Sequence, residues 1–465
     1  MFIKQLYTGC LSESAYYIES EGIAAVIDPL RDIDEYLQLA TERNATIKFI
    51  FETHFHADFI SGHLDLAQAT GATIIYGPDT VTKFPVHVAK DGEIFSIGKL
   101  TVEVMHTPGH TLESSCFLLK DEAGKDHAVF TGDTLFVGDV GRPDLSQKGA
   151  ELTMEDLAGM LYDSLQTKIM PLADDVILYP AHGAGSSCGK NLGPETFSTI
   201  GAQKQSNYAL QQQTKADFIT AVTTGLSAPP QYFPINAKIN KEGYDSLQSI
   251  LDKGLQPLSI AAFKEKAAQD NTIILDTRKA TVFTEGFVPN SIFIGLEGQF
   301  APWVGALIPS VTQPIVLITS EGKEEETVQR LSRVGYDNVL GYLKGGIQAW
   351  DGELDAINRI EASQVEQGLG SDEVLIDVRK PGEYDAEHLA DVPSIPLDYI
   401  NERMVEFPKD KALVLHCAGG YRSMIAASIL KARGYHHVKD VIGGFGALSK
   451  TSLPKTAYVC PSTLK

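Results

Sequence analysis

Two imidazoles and a carboxylate alternate in Thr53-His54-Phe55-His56-Ala57-Asp58, and single groups of the same kind stand in Thr107-Pro108-Gly109-His110-Thr111 and Thr131-Gly132-Asp133-Thr134. His182, in Ala181-His182-Gly183, adds another imidazole. Such residues have little structural reason to cluster, and together they suit a metal ion. They offer imidazole and carboxylate but no thiolate, a donor set for iron, zinc or manganese rather than for an iron–sulfur cluster or a structural cysteine-based zinc site.

A second chemical feature lies far along the chain. The apolar run Ala412 to His416 delivers Cys417 to the turn Ala418-Gly419-Gly420-Tyr421-Arg422, and a helix is expected from Ser423 to Arg433. Backbone N–H groups and the helix dipole then point at the sulfur, which favours a terminal persulfide anion. Arg422 adds a fixed positive charge for an anionic sulfur donor or acceptor.

The elements that must position these groups can be read from the pattern. Short β-rich runs at Ala24 to Ile27, Ile47 to Phe51, Thr73 to Tyr76, Leu100 to Met105, His127 to Phe130 and Val176 to Tyr179 alternate with helical stretches. Each candidate ligand follows the end of such a run, as expected of a site on loops along one sheet edge. Residues 200 to 250 read as a polar, Gln-rich helix and a linker around Ala228-Pro229-Pro230. Beyond residue 250 the chain repeats: Ile273-Ile274-Leu275-Asp276-Thr277-Arg278-Lys279 answers to Val374-Leu375-Ile376-Asp377-Val378-Arg379-Lys380, and Gly345-Gly346 to Gly443-Gly444. Two homologous α/β domains with small parallel sheets follow the metal domain.

The histidine string resembles the signature of the metallo-β-lactamase superfamily, His-x-His-x-Asp-His with a later His, Asp and last His, here His54, His56, Asp58, Phe59, His110, Asp133 and His182. Phe59 departs from it, because hydrolases of this superfamily place a histidine there to hold a second metal. One metal is therefore expected. Two imidazoles and one carboxylate with open positions form the facial triad of non-haem ferrous oxygenases, and within the superfamily this resembles the persulfide dioxygenases. That resemblance implies one Fe(II) per chain on His54, His110 and Asp133, with zinc as the alternative, and leaves His56, Asp58 and His182 as outer groups that orient ligands and water.

The Asp377-Val378-Arg379-Lys380-Pro381-Gly382-Glu383-Tyr384 segment and the Cys417 loop resemble the rhodanese family of sulfurtransferases, which implies that Cys417 carries sulfur and that Ala418, Gly419, Gly420, Tyr421 and Arg422 bind the substrate. Asp377 and Arg379 are read as a structural pair beneath the loop. The first repeat has Ile318-Thr319-Ser320-Glu321-Gly322 at the corresponding place and no cysteine between Cys188 and Cys417, so it is read as inactive. The expected division is a metallo-β-lactamase-like αβ/βα sandwich over 1–240, an inactive rhodanese-like domain over 250–355 and an active one over 356–465.

This order resembles bacterial fusions of persulfide dioxygenase and sulfurtransferase. It implies oxidation of a low-molecular-weight thiol persulfide by O2 to sulfite and thiol, with sulfur transfer through Cys417 to form thiosulfate, in sulfide detoxification. It also implies a homo-oligomer, dimeric or higher. Two rivals remain: a zinc-dependent thioester hydrolase resembling hydroxyacylglutathione hydrolase, and a persulfide carrier or sensor in which the metal is structural.

The 465 residues, 43% of them hydrophobic, are ample for several cores. A net charge of −21 disfavours nucleic acid and anionic membrane as partners, no apolar run is long enough to span a bilayer, and no signal-peptide pattern is seen. Five scattered cysteines, Cys10, Cys116, Cys188, Cys417 and Cys460, do not form a disulfide framework and fit a reducing cytoplasm. Cys188 is read mainly as a packing residue near the metal cleft, Cys460 as incidental, and Arg142 as either a steering charge or a partner of Asp144.

Overall fold

The computed structural model describes residues 1–145, 152–190, 192–226 and 228–459; Cys460 lies outside them. The chain divides into two compact units, Met1–Ser249 with Ser332–Gly335, and Ile250–Leu331 with Tyr336–Lys465.

The first unit is built on two six-stranded sheets whose strands lie side by side in chain order. One contains β1 (Phe2–Thr8), β2 (Glu13–Ser20), β3 (Ile23–Ile27), β4 (Thr46–Glu52), β5 (Thr73–Tyr76) and β6 (His87–Val88). The other contains β7 (Ile94–Ile97), β8 (Leu100–His106), β9 (Ser115–Lys120), β10 (Asp126–Gly132), β11 (Ile177–Pro180) and β12 (Ser198–Thr199). Alternation along the strands sorts side chains between layers. On β2, Tyr16 and Ile18 join Phe51, Val102, Phe117 and Phe130 in one buried cluster, while Tyr17 joins Tyr36 and Leu39 of the helix Asp34–Glu42 in another. A third cluster packs Leu118, Val129 and Leu178 against Ala158 and Leu161 of the helix Met154–Ser164 and Phe218 of the helix Lys215–Thr223. Two sheets with helices outside are the expected αβ/βα sandwich, and every strand expected there forms.

Residues 200–254 differ from the expected single helix and linker. They form four short helices, Ile200–Ser206, Lys215–Thr223, Phe233–Glu242 and Leu247–Gly254. Thr199 and Thr214 each cap a separate start, their side chains accepting from the N–H groups of Ala202 and Asp217.

The second unit holds two all-parallel sheets. The first contains β13 (Pro257–Leu258), β14 (Ile273–Asp276), β15 (Ile292–Phe293), β16 (Ile315–Ile318) and β17 (Val339–Leu343), in the order β13-β17-β16-β14-β15. The second contains β18 (Asn358–Ile360), β19 (Glu373–Asp377), β20 (Ala412–His416) and β21 (Val438–Val441), in the order β18-β21-β20-β19. The central strands are fully buried runs such as Ile315–Ile318, as parallel sheets covered on both faces require. No helix among the described residues is long and apolar enough to cross a membrane.

Candidate metal centre and cysteine loop

His54 follows β4, His110 follows β8, Asp133 follows β10 and His182 follows β11, so four loops at strand ends supply the four groups. The loops bring His54, His110 and Asp133 together with one ligand atom of each within 4.8 Å of the others. His110 Nε2 stands 3.3 Å and His54 Nε2 3.9 Å from Asp133 Oδ2. All three are buried.

The outer partners aim the imidazoles. His110 Nδ1 donates to the Arg142 carbonyl at 2.8 Å. The Thr53 hydroxyl donates to Asp28 Oδ2 at 2.8 Å and accepts from His54 Nδ1 at 3.0 Å. Each ring therefore carries its proton on Nδ1 and turns the Nε2 lone pair inward, as a metal ligand must. Burial, helped by neighbouring imidazoles, also pushes the His54 pKa well down and keeps the ring neutral.

The carboxylate supplies the fit test for a cation. Asp133 has no hydrogen-bond partner at either oxygen, and His182 Nε2 and Asp58 Oδ1 are likewise buried without one. A buried carboxylate facing imidazole lone pairs with no donor between them is costly. A divalent ion among His54, His110 and Asp133 would answer that carboxylate, so these three residues fit the metal that the histidine spacing implies.

Gly141 shows how tightly the centre is framed. Its N–H donates to the Asp133 carbonyl at 2.9 Å, and a Cβ there would stand 2.1 Å from that oxygen and 2.8 Å from His110 Nδ1. Arg142, the next residue, pairs with Asp144 through Nε and Nη2 at 2.7 and 2.8 Å. The expected pairing with Asp144 is formed.

His56 is turned to other partners, with Nε2 3.1 Å from Asp28 Oδ1 and 3.5 Å from Glu52 Oε2. Burial opposes a charge on this ring, but the two carboxylates outweigh it and raise its pKa well above the ordinary range. The Phe59 ring stacks on it, with centroids 4.3 Å apart. Asp28, Glu52 and the buried Glu13, whose own pKa burial pushes well up, carry no signature spacing, which is why the sequence did not single them out.

Asp58, His182 and Cys188 form a second close group. His182 Nε2 lies 3.4 Å from Asp58 Oδ2 and 3.5 Å from Asp133 Oδ1. Cys188 is buried, and burial followed by the Asp58 and Asp133 charges pushes its thiol pKa well up. Beside His110 opens a cavity of about 380 Å³, walled by Phe55, Met154, Pro229, Phe233 and Ala237 among others.

In the second unit, β20 ends at His416 and is followed at once by Cys417, which is buried. Gly420, at φ +107°, turns its N–H to the sulfur at 3.1 Å and begins the helix Tyr421–Ala432, two residues earlier than expected. The positive φ is a conformation that glycine adopts at little cost. Arg422 is engaged with Glu383, at 2.5 and 2.8 Å, a partner the sequence did not suggest. Tyr421 leaves the loop to donate to the Gly295 carbonyl of the first repeat at 2.7 Å. Asp377 and Arg379 form the expected buried pair. In the first repeat Asp276 and Arg278 do the same, but Glu324, Glu325 and Glu326 open the helix Glu324–Ser332 where the other copy has Arg422, Ser423 and Met424.

The metallo-beta-lactamase superfamily model matches residues 8–182, and the rhodanese-like domain model matches residues 259–353 and 361–451. A solved metallo-beta-lactamase from Staphylococcus aureus subsp. aureus COL is 33% identical, covers 74% of this chain and 98% of its own, and superposes with a TM-score of 0.65. ETHE1 from Myxococcus xanthus is 29% identical over 52% of this chain and 98% of its own, with a TM-score of 0.45. A protein described as a probable hydroxyacylglutathione hydrolase in Schizosaccharomyces pombe is 30% identical over 38% of this chain, and the match spans 66% of that relative's length. The chain belongs to the metallo-beta-lactamase superfamily and carries two rhodanese-like domains after its metal-binding domain.

Proposed function

We propose that the chain oxidises a low-molecular-weight thiol persulfide with O2 at one Fe(II) held by His54, His110 and Asp133, and passes sulfur through Cys417 to form thiosulfate. The observation that carries this is the engagement of His56 by Asp28 and Glu52 beneath the Phe59 ring, which leaves a three-group face of two imidazoles and one carboxylate. A ferrous ion there would supply the redox chemistry that joins O2 to sulfur. Overall, RSSH + O2 + H2O gives RSH and sulfurous acid, which ionises to sulfite.

The chain's own groups do the positioning. Arg142 and Thr53 fix the ring protons of His110 and His54 away from the centre. The apolar wall of the cavity beside His110 takes the carbon part of the thiol and excludes water. In the second unit the Gly420 N–H and the helix N-terminus meet the charge on Cys417 sulfur. The Cys417 thiolate takes the outer sulfur of a second persulfide, whose S–S bond breaks to release RSH, and then gives that sulfur to sulfite; the Sγ–S bond breaks, thiosulfate leaves and the thiolate is restored.

A second function is favoured by the group Asp58, His182 and Cys188 and by the named hydrolase relative: thioester hydrolysis at two zinc ions. The two are separated by metal content and by oxygen uptake with glutathione persulfide, one iron with uptake for the first and two zinc without uptake for the second.

A further inference from the structure

Behind Cys417 lies a buried polar chain that neither the loop motif nor the metal chemistry uses. The Ser423 hydroxyl is 3.4 Å from Cys417 Sγ and 2.6 Å from Asp440 Oδ1. Arg359 Nε donates to the other oxygen, Asp440 Oδ2, at 3.0 Å. Ser423 and Asp440 are wholly buried. Arg359 from β18 is the charged group that faces Asp440, Ser423 comes from the helix Tyr421–Ala432, and on β20 its register partner is the apolar Leu415.

The first repeat acts as an internal control. Register sets Asp276 beside Ile318 and Asp377 beside His416, so Thr319 answers to Cys417 and Glu325 to Ser423. Pro257 pairs with Tyr342 as Arg359 pairs with Asp440. The copy without the cysteine thus has none of the four: Thr319, Glu325, Tyr342 and Pro257 stand in their places. The Asp–Arg pair beneath the loop survives in both copies. A purely structural set would have no reason to vanish with the sulfur while that pair stays.

We propose that Asp440, held by Arg359, sets the direction of the Ser423 hydroxyl and through it the hydrogen bond to Cys417 sulfur, so that both are positioning residues for sulfur transfer. This rests on Cys417 being the sulfur carrier. A hydroxyl has one hydrogen. With Asp440 ionised, that hydrogen goes to Oδ1; with Asp440 protonated on Oδ1, the acid donates to Ser423 and the hydroxyl turns its hydrogen to Sγ. Burial raises the Asp440 pKa to about 6, against the lowering by Ser423 and Arg359, so the two arrangements exchange near neutrality. In the step served, the Cys417 thiolate attacks the outer sulfur of thiosulfate. A Sγ–S bond forms, the thiosulfate S–S bond breaks, and its electron pair leaves on sulfite, with no oxidant consumed. In the reverse sense Ser423 stabilises Sγ as the leaving thiolate.

The test is single-turnover persulfide formation from thiosulfate on the full chain, read by mass spectrometry of the Cys417 peptide between about pH 5 and pH 8. Ser423→Ala should slow the step roughly tenfold at the acid end, the loss of one hydrogen bond to charged sulfur, and the deficit should shrink as pH rises through about 6. Ser423→Thr should restore the rate. Asp440→Asn, whose amide donates to Ser423 at every pH, should match wild type at the acid end and exceed it several-fold at the alkaline end. The Ser423→Ala and Asp440→Asn profiles are independent, so either serves if the other variant fails to fold. Rate ratios to wild type that are flat with pH would overturn the positioning role. No persulfide on wild-type Cys417, or its formation in Cys417→Ser, would instead overturn the carrier assignment on which it rests.

Discussion

His110 Nδ1 lies 2.8 Å from the carbonyl oxygen of Arg142, and this hydrogen bond turns Nε2 toward Asp133 Oδ2, 3.3 Å away. The backbone that supplies the carbonyl passes through Gly141, whose N–H is tied to Asp133. One short segment thus fixes both His110, after β8, and Asp133, after β10, two of the candidate ligands.

Gly141→Ala should therefore damage the metal centre without touching a ligand. The added Cβ would press on the Asp133 carbonyl and His110 Nδ1, and backbone cannot yield as a flexible side chain can. Metal content should fall at least tenfold, while thiosulfate-dependent sulfur transfer, read in a thiosulfate-to-cyanide assay, stays near wild type. Full metal occupancy in this variant would contradict the framing assigned to residue 141.

Phe59→His tests why one metal is expected. Phe59 is fully buried, stacked on His56 and next in the chain to Asp58, so an imidazole there adds a nitrogen donor where the ring now offers none. Zinc titration should rise from one equivalent per chain to two. An unchanged stoichiometry would mean that Phe59 does not limit the count.

The two sites should separate cleanly by mutation. Cys417→Ser is expected to leave persulfide-dependent oxygen uptake within about twofold of wild type and to cut thiosulfate formation by more than about a hundredfold, as for loss of a nucleophile. Asp133→Ala should abolish oxygen uptake, and with it the sulfite that thiosulfate formation needs, while sulfur transfer from thiosulfate to cyanide stays near wild type. Loss of oxygen uptake in Cys417→Ser equal to its loss of thiosulfate formation, or loss of thiosulfate-to-cyanide transfer in Asp133→Ala, would sink the two-site scheme.

Asp440 gives a stability signature with a definite sign. Its folded pKa, raised by burial to about 6, lies above the unfolded value of about 3.9, so the folded chain binds more protons between the two. Stability is then fully present below the unfolded value and is lost as pH rises through the folded one, by up to about 3 kcal/mol. Amide exchange of β20 and β21 should show protection falling over that window in wild type and not in Asp440→Asn. Parallel pH slopes would contradict it.

Much of this was legible from local pattern. His54, His110 and Asp133 follow apolar runs that form strands, and a strand end is where a rigid scaffold hands a side chain to a loop. The repeat was equally plain, because Asp276 to Arg278 and Asp377 to Arg379 recur with the same neighbours. What local pattern does not carry is partnership across the sheet. Asp28 meets His56 and Asp440 meets Ser423 only because β3 lies beside β4 and β21 beside β20. The helices after residue 200 were missed for a different reason: Thr199 and Thr214 are ordinary cap signals, and a run of polar glutamines hid the breaks between them.

One iron on a three-group face, used with oxygen, is the proposal on which the other predictions rest. Its decisive test is elemental analysis of anaerobically purified protein coupled to oxygen uptake with glutathione persulfide. About one iron per chain with persulfide-dependent uptake is expected, whereas about two zinc per chain, no uptake and turnover of a glutathione thioester would overturn it.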